Sequence, residues 1–381
     1  MDPEGYPCED GEKRVGRGRR YGLVSTYPPT QCGLASFAAG LSRELVAMDS
    51  HVAVVRLTDS LKPRSKVLPS MSEAIHTINQ CDVAIVQHDY GLYGGTDGAE
   101  IIDLVREIDI PCIVIAHTVL AEPNENQKKI LEFLVEVSAC TVVMSEVAKH
   151  RMCRHFDVTP TKIQVIPHGC DAFVSKPIAP STDRPLLLSW GYFGRGKGFE
   201  WAIDAFSSLK VFSPAPLYVL AGRTHPKVFA AEGEKYRSML KARVADRGVS
   251  SSVIFHDEFK DRRGLANLIR QATAIVLPYD SSDQVSSGVL VEALASGKPV
   301  IATDFPQAVE LLSSGAGLLV PRGDAVALEG AFRRVLTEHG LAQQMALEAA
   351  RIGPQFEWRT AAMSYAKIAD GLLDAFDVGR V

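Results

Sequence analysis

The densest group of candidate functional residues lies in DQVSSGVLVEALASGKPVIATD, residues 283–304. Ser287 and Gly288 stand where a helix begins, and apolar residues at helical spacing follow them. The first N–H groups of a helix have no partner within the helix, so this small entrance suits an anion such as a diphosphate. Glu292, about two helical turns after Gln284, is placed to accept hydrogen bonds from a ribose. From this segment alone, an ordinary helix of an α/β domain is an equally good interpretation.

A second candidate anion site is the glycine-rich loop in SWGYFGRGKGFEWAIDAF, residues 189–206, which follows a strand-like run and opens a helix. Arg195 and Lys197 lie in this loop, and two cations together with free N–H groups would hold a diphosphate. The loop lacks the GxxxxGK[ST] pattern of a Walker phosphate loop, and a solvated turn is the alternative. Arg223 and His225 follow a later strand, where they either reach the same ligand or cap the sheet edge.

Loops that follow strands in the first half of the chain supply further candidates. In the loop STYPPTQCGLASF, residues 25–37, Gly33 comes just before a helix. Because glycine has no side chain, the backbone there can approach a phosphate closely. A plain strand-to-helix turn explains this loop equally well. His117 directly follows the strand CIVIA, where it would either orient a sugar hydroxyl or developing charge, or bond local backbone. The neighbouring strand ends in three residues that either line an acceptor pocket or are structural: His88, Asp89 and Tyr90.

The composition limits the classes of protein to which the chain can belong. It has 381 residues, of which 46% are apolar and 23% are charged, enough for two ordinary soluble domains. The net charge of −4 argues against nucleic acid as the main partner. No apolar run approaches the roughly 20 residues of a membrane span, and the N-terminus lacks an apolar signal segment. We therefore expect a cytoplasmic protein.

The cysteine pattern and the missing hydrolase motifs narrow the chemistry further. Seven cysteines form no CxxC pair, which indicates a reducing compartment and no zinc site. The HExxH and GxSxG patterns are also absent, so neither a metal-dependent nor a serine hydrolase is supported.

Strands and helices alternate in two series, separated by a segment rich in proline, serine and threonine at residues 171–185. The apolar, non-alternating strands are typical of parallel sheets covered on both faces, and ligands of such sheets bind at the carboxyl ends of the strands. The sequence thus predicts an α/β protein of two doubly wound domains facing across a cleft. The predicted strands are 21–25, 51–57, 83–87, 112–116, 140–144 and 163–167, then 185–190, 217–222, 253–255, 274–278, 299–303 and 317–321; predicted helices include 34–48 and 125–139.

The same pattern predicts where the domains begin and end. Residues 1–20 form a polar tail, 21–175 a first domain and 183–354 a second domain, while 355–381 contain an amphipathic helix that packs across the domain junction. The tail ends in the basic run KRVGRGRR, for which a solvated tail is the favoured interpretation over nucleic-acid or membrane binding.

Three segments in order resemble the retaining glycosyltransferases of family 4, which have the GT-B fold of two Rossmann-like domains. They are VIPHGCD (165–171), SWGYFGRGKGFEWAIDAF and SSGVLVEALASGKPVIAT, and the likeness covers roughly residues 21–370. The resemblance implies transfer of a hexosyl group, mannose or glucose, from a nucleotide-diphosphate sugar to a hydroxyl of a glycan or lipid-linked acceptor. It further implies that the first domain is the acceptor side, that the second binds the nucleotide sugar, and that the last helix crosses back to the first domain.

The resemblance also implies roles for individual positions. Gly33 and Gly191 would meet the donor, Lys197 would hold its diphosphate, and His117 would lie near the donor sugar and the acceptor. Glu292 would bind the ribose. Backbone amides for the diphosphate would come from four consecutive residues: Ser287, Gly288, Val289 and Leu290.

Two positions depart from the family pattern. Gln284 stands where the family usually has a glutamate near the transferred sugar, which puts any anionic role at this position in doubt. Tyr192 replaces the usual arginine after the strand's terminal glycine, and we expect Arg195 to substitute for it from a shifted position.

The expected co-substrate is a nucleotide sugar such as GDP-mannose or UDP-glucose, with no other cofactor and no metal. Peripheral contact with the inner face of a membrane is left open. Two other functions fit the same fold. One is a sugar-nucleotide 2-epimerase, which needs no acceptor, and the other is a non-catalytic nucleotide-sugar binder, which the departures at Gln284 and Tyr192 make conceivable.

Overall fold

Two parallel β-sheets of six strands each form the frame of the protein in this computed structural model. The structure describes residues 18–57, 71–171, 184–257 and 262–378. Most of the tail predicted over residues 1–20 and most of the segment between the two series of strands therefore lie outside the described residues. Arg20, which the sequence assigned to the tail, is the first residue of a strand paired in parallel with His51.

The first domain contains the sheet with strand order β2-β1-β3-β4-β5-β6. Its strands are β1 (Arg20–Ser25), β2 (His51–Arg56), β3 (Val83–His88), β4 (Cys112–Ala116), β5 (Cys140–Val143) and β6 (Ile163–Val165). Its helices are α1 (Gly33–Ala47), α2 (Met71–Asn79), α3 (Ile101–Arg106), α4 (Glu125–Val137) and α5 (Glu146–His155).

The second domain contains the sheet with strand order β12-β11-β10-β7-β8-β9. Its strands are β7 (Leu186–Trp190), β8 (Leu217–Ala221), β9 (Val253–His256), β10 (Ala274–Leu277), β11 (Val300–Thr303) and β12 (Gly317–Val320). Helices α6 to α13 cover it: α6 (Phe199–Phe206), α7 (Pro226–Glu232), α8 (Lys235–Asp246), α9 (Arg262–Gln271), α10 (Gly288–Ala295), α11 (Pro306–Leu312), α12 (Ala325–Thr337) and α13 (Leu341–Ile352).

The predicted doubly wound architecture is confirmed in both halves. Strands β3, β4 and β7 are buried along their whole length, as expected for parallel strands covered by helices on both faces. The twelve predicted strands and the two predicted helices each begin and end within two residues of the observed ones.

The strand order in each sheet reverses at one point, and the position of this reversal predicts where a ligand binds. In the first sheet the reversal lies between β1 and β3, and in the second it lies between β7 and β10. Open α/β sheets bind ligands in the crevice at the carboxyl ends of such strands. The loops after β1, β3, β7 and β10 carry most of the residues that the sequence singled out.

The last helix, α14 (Trp358–Val378), packs on the first domain rather than on the second. Ala362 and Tyr365 of this helix join the core formed by Leu23 and Phe37. Trp358 lies where side chains on Gly40 and Gly169 would clash with it, since a Cβ at either position would come within 2.2 Å of its ring. Among the described residues, no helix is both long enough and apolar enough to cross a membrane.

Candidate active site

A cavity of about 400 Å³ lies between the two domains at the carboxyl edges of both sheets. The first domain contributes residues that follow β1, β3, β4 and β6, and the second contributes residues that follow β8 and β10. Of the residues predicted from the sequence to act in the site, five line this cavity: Gly33, Asp89, His117, Gln284 and Gly288. The points at which the strand order reverses in the two sheets thus face the same cavity.

Helix α1 begins at the cavity. Its N-cap is Cys32, whose Sγ accepts a hydrogen bond from the backbone N–H of Ala35 at 3.3 Å and lies 3.2 Å from the hydroxyl of Thr26. A side chain on Gly33 would meet no atom within 4 Å, so the backbone there is open to an incoming group. A helix start of this kind offers unpaired N–H groups and the positive end of the helix dipole.

Helix α10 begins at the same cavity from the second domain. Ser287 is its N-cap, and its hydroxyl accepts a hydrogen bond from the N–H of Leu290 at 3.3 Å. The N–H of Leu290, which the resemblance assigned to the diphosphate, is therefore already used within the helix. The free donors of this first turn are those of Gly288 and Val289.

The loop between β7 and α6 has the shape that its glycines require. Gly198 has φ +65°, and a Cβ there would come 1.7 Å from the carbonyl oxygen of Pro278, so only glycine fits. Lys197 precedes it, and its ammonium lies 4.2 Å from the centre of the buried ring of Tyr279. Lys197 thus lies beside the cavity rather than in its lining. Gly191 also has a positive φ, and a Cβ there would be 3.7 Å from Val289.

Arg195 does not occupy the place of the missing arginine. Its side chain is 81% exposed, and its Nε lies 3.7 Å from the carboxylate of Glu232. At the family's arginine position, Tyr192 instead donates a hydrogen bond from its hydroxyl to the backbone carbonyl of Gln31 at 2.7 Å. Arg223 donates to the side-chain oxygen of the same glutamine at 3.0 Å. These two residues therefore join the second domain to the loop before α1.

His117 and His168 lie together at the floor of the cavity. The ring of Phe37 meets both imidazoles edge-on, at centroid distances of 4.9 and 5.0 Å. Burial, together with the neighbouring His168, lowers the pKa of His117 to about 3, and burial lowers the pKa of His168 to about 4. Both rings are therefore neutral near pH 7, and such rings can donate or accept hydrogen bonds without adding charge.

The three residues predicted for the acceptor side separate in the structure. Asp89 lines the cavity and accepts hydrogen bonds from the hydroxyl of Thr118 at 2.7 Å and from the N–H of Gly91 at 2.9 Å. Burial alone would raise the pKa of Asp89, but these hydrogen bonds hold it below its ordinary value. His88 is fully buried, and Tyr90 donates its hydroxyl proton to a backbone carbonyl on α4, so neither lines the cavity.

Gln284 and Glu292 make contacts within the second domain. The side-chain amide of Gln284 donates a hydrogen bond to the carbonyl of Ser286 in its own loop. Glu292 accepts a hydrogen bond from the indole N–H of Trp190 at 3.0 Å, so its carboxylate is held against the end of β7. Among the described residues, no group of three His, Cys, Asp or Glu side chains is arranged as a metal site would require.

Several residues of the cavity were not predicted from the sequence. His225, which it left undecided, lines the cavity, and so does Lys227, which it did not single out. Lys227 donates from its ammonium to the carbonyl of Gly91 in the first domain at 3.1 Å. Their signal was present, because they follow strand β8 at the carboxyl edge of the sheet. Ser286, which the sequence placed at the same helix start as Ser287 and Gly288, also lines the cavity. The remaining members, which were not predicted, are Thr26, Gln31, Cys32, Leu34, Gly91, Leu92, Thr118, His168 and Pro226.

Residues 172–351 match the model of a protein family described as "Glycosyl transferases group 1". No curated protein matches the chain significantly. Among solved structures, a sucrose-phosphate synthase from Thermosynechococcus elongatus superimposes with a TM-score of 0.74 at 19% identity, covering 94% of this chain and 100% of the other. The fold is GT-B.

Two further GT-B structures match over almost the whole chain. HepE from Anabaena, solved with UDP and glucose, has a TM-score of 0.73 at 15% identity and covers 93% of this chain and 100% of its own. A UDP-forming trehalose-phosphate synthase from Burkholderia xenovorans has a TM-score of 0.67 at 13% identity and covers 93% and 99%. At such identities the likeness establishes the architecture.

Proposed function

We propose that the protein is a retaining glycosyltransferase that moves a hexosyl group from a nucleotide-diphosphate sugar to a hydroxyl acceptor. The observation that carries this proposal is the convergence of two helix N-termini, α1 at Gly33 and α10 at Gly288, on one cavity between the domains. Each presents backbone N–H groups, and the two together suit a ligand with two adjacent phosphates. The match of the second domain to a glycosyltransferase family model supports the same activity.

The chemistry of such a transfer explains why fixed donors matter. Breaking the anomeric C–O bond leaves negative charge on the departing diphosphate, and groups that meet this charge lower the barrier most when they are already in place. The N–H groups at Gly288 and Val289 are held by the helix, and Lys197 is held by the ring of Tyr279. None of these donors has to reorganise when the charge develops.

Retention of anomeric configuration is expected through attack on the same face from which the diphosphate departs. A double displacement needs an enzyme carboxylate as nucleophile. Among the described residues that line the cavity, Asp89 is the one carboxylate, and its oxygens already accept hydrogen bonds from Thr118 and Gly91. We therefore assign the acceptor's proton to the leaving phosphate oxygen, with neutral His117 orienting sugar hydroxyls.

For the donor we propose UDP-glucose or GDP-mannose, and for the acceptor a glycan or lipid-linked hydroxyl. HepE, one of the structural neighbours, was solved with UDP and glucose. The diphosphate would be neutralised by lysine and backbone amides, so we propose a reaction that needs no metal. Undiminished turnover after dialysis against EDTA would support this part of the proposal.

A two-step experiment tests the function. Thermal unfolding is first followed with UDP, GDP, ADP and the corresponding glucose and mannose nucleotides, because a ligand that binds only the folded chain raises the melting temperature. The nucleotide sugar that raises it is then offered with glycan and lipid-linked acceptors, and product is measured by mass spectrometry. Transfer supports the proposal.

Three other outcomes would contradict the proposed glycosyltransferase activity, and each points to a different conclusion. Binding of a nucleotide sugar without transfer to any acceptor would indicate a binder, an alternative favoured by the way the Gln284 amide bonds to its own loop. Conversion of the donor without an acceptor would indicate an epimerase. No thermal shift with any nucleotide would remove the basis for all three functions.

A further inference from the structure

The side chains that line the cavity carry little net positive charge for the ligand proposed above. A sugar diphosphate brings about two negative charges, because each phosphodiester-type phosphate is fully ionised near pH 7. Among the described residues that line the cavity, Asp89 is the one carboxylate and Lys227 is the one lysine or arginine. His117 and His168 are neutral, since burial lowers both pKa values to about 3 and 4. Among the described side chains, the positive charges available to the ligand are therefore Lys227 in the lining and two neighbouring side chains, Lys197 and Arg223. Of these, Arg223 is hydrogen-bonded to Gln31.

The position that supplies an arginine in the resembled family does not supply one here. Tyr192 stands there, and its hydroxyl is used in the hydrogen bond to the carbonyl of Gln31. Arg195, the expected substitute, lies at the surface beside Glu232. Lys197 remains next to the cavity, over the ring of Tyr279. Of the arginine and the lysine that the resembled family has in this loop, the protein thus keeps only the lysine.

Lys227 has the position and the free bonding capacity to replace it. It follows the N-cap of α7, where the imidazole of His225 accepts a hydrogen bond from the backbone N–H of Lys227 at 3.2 Å. Its ammonium lies 3.1 Å from the carbonyl of Gly91 across the cavity. An ammonium group has three donors, so this contact leaves two for a ligand.

His225 lies where the loops that carry the two lysines meet. Its ring lines the cavity, accepts the hydrogen bond from the backbone N–H of Lys227, and packs edge-on against Tyr192 of the loop that also carries Lys197, with 5.2 Å between the ring centres. Burial and the positive charges of Lys227 and Lys197 lower the pKa of this imidazole. The loops after β7 and β8 therefore approach the same region. A diphosphate between them would lie next to the entrance of α10.

We propose that Lys227, acting with Lys197, binds the donor diphosphate and so takes the part that an arginine at position 192 has in the resembled family. The inference rests on the proposed function, because it concerns how that donor is held. It also explains why the chain tolerates tyrosine at position 192. The hydroxyl of Tyr192 donates a hydrogen bond to Gln31 of the first domain. The positive charge for the diphosphate comes from Lys227, in the loop after the neighbouring strand β8.

Isothermal titration calorimetry on the full chain tests the assignment, with UDP and GDP as probes and uridine and guanosine as the matching probes without phosphate. Lys227→Ala should weaken binding of whichever diphosphate the wild type prefers by tenfold or more, as expected for one lost charge-assisted hydrogen bond. Its affinity for the nucleoside should not change. Lys227→Arg should keep most of the diphosphate affinity, and the salt dependence of binding should be smaller in the alanine variant.

One further variant separates the charge of Lys227 from its hydrogen-bonding capacity, and another serves as the control. Lys227→Gln keeps an N–H donor but has no charge, so it should bind the diphosphate as weakly as Lys227→Ala. Lys235→Ala removes an exposed lysine from the start of the adjacent helix α8, outside the cavity, and should bind like the wild type. Unchanged melting temperatures would show that all variants are folded.

Three results would overturn the inference. One is an unchanged diphosphate affinity in Lys227→Ala, and another is an equal loss for diphosphate and nucleoside. The third is a tenfold loss in Arg195→Ala instead, which would return the role to Arg195. A wild-type protein that binds no nucleotide would be a failure of the proposed function itself, and is recognised by the absence of any titration before a variant is compared.

Discussion

The ammonium of Lys197 stacks on the ring of Tyr279, a residue that is 2% exposed. A cation over an aromatic face is attracted by the ring's charge distribution, and a buried ring cannot move away. Lys197 is therefore fixed beside the cavity before a ligand binds. This is the property that a group stabilising a developing charge should have.

Lys197→Ala should reduce turnover at least about a hundredfold, by analogy with the loss of one fixed oxyanion donor. The melting temperature should change little, because the side chain is only partly buried. Turnover with saturating donor is the measurement, and Lys210→Ala, at an exposed position of the same domain, is the control. Near-normal turnover would contradict the role of Lys197.

The buried histidines should make folding stability depend on pH. Burial lowers the pKa of His88 from 6.5 to about 4. The unfolded chain thus takes up a proton below pH 6.5 that the folded chain refuses, so protonation favours unfolding. The contribution is complete above pH 6.5 and is lost as the pH falls towards 4, on the order of 3 kcal/mol in total.

Urea unfolding between pH 7 and pH 4 measures this dependence. His88→Gln removes one titrating group from the core and should give a flatter stability curve than the wild type. His51→Gln, at the exposed first residue of β2, is the matched control and should follow the wild-type curve. Parallel curves for wild type and His88→Gln would refute the assignment of the pH effect to this ring.

At the scale of single residues, the sequence identified part of the cavity. Gly33, His117, Gln284 and Gly288 could be found because each follows a strand or opens a helix, and strand ends can be located from apolar runs. Lys227 also follows a strand end, but the sequence gives no reason to choose it, or His168 after β6, over the other polar residues of their loops. Their positions in the cavity depend on how the two domains meet. The distances between residues of different domains cannot be inferred from local sequence patterns.

At the scale of elements, the guanidinium of Arg151 on α5 joins the two loops that carry His117 and Gln284. It is 11% exposed, and it donates to the carbonyl of Val119 at 3.1 Å, to the carboxylate of Asp283 at 3.2 Å and to the carbonyl of Ser282 at 3.0 Å. Asp283 also accepts a hydrogen bond from the N–H of Ala121 at 3.0 Å. The start of α10 is thus positioned from the opposite domain.

Arg151→Ala should lower both stability and turnover. The loss of charged hydrogen bonds costs about 1–3 kcal/mol, and a loop displaced by about 1 Å can reduce a rate by up to a hundredfold. We expect at least a tenfold drop in turnover. Arg154→Ala, at an exposed position three residues later on the same helix, is the control for both measurements. Equal behaviour of the two variants would show that the contact does not position the loop.

The elements themselves were more predictable than the contacts between them. The strands β1 to β12 are short runs of mostly apolar residues, and caps such as the Asn124–Gln127 pair at α4 mark where helices begin. The thiol cap of α1 by Cys32 was not foreseen, because cysteine is not among the usual N-cap residues. The contact between Arg151 and Asp283 joins residues far apart in the chain, so no local pattern announces it.

At the scale of the whole molecule, Trp358 anchors α14, which follows the second domain in the chain, on the first domain. A Cβ at Gly40 would lie 2.2 Å from the indole ring, while a Cβ at Gly330 of α12 would meet no atom within 4 Å. Both glycines are in helices. They therefore form a matched pair that differs only in what surrounds them.

Gly40→Ala should destabilise the protein by about 1–3 kcal/mol, because overpacking against Trp358 outweighs the gain in helix propensity. Gly330→Ala should stabilise it by up to about 1 kcal/mol, since only the propensity gain remains. Thermal or urea unfolding measures both. A stabilised Gly40→Ala variant would mean that the indole moves aside freely and does not fix α14.

The chain passes between the domains twice, and the two passages touch. The N–H of Cys170 donates to the carbonyl of Phe356 at 2.7 Å, and the N–H of Trp358 donates to the carbonyl of Cys170 at 3.0 Å. In topological terms the second domain is an insertion within the first. One peptide-bond cleavage in either passage would therefore leave the lobes covalently tethered by the other.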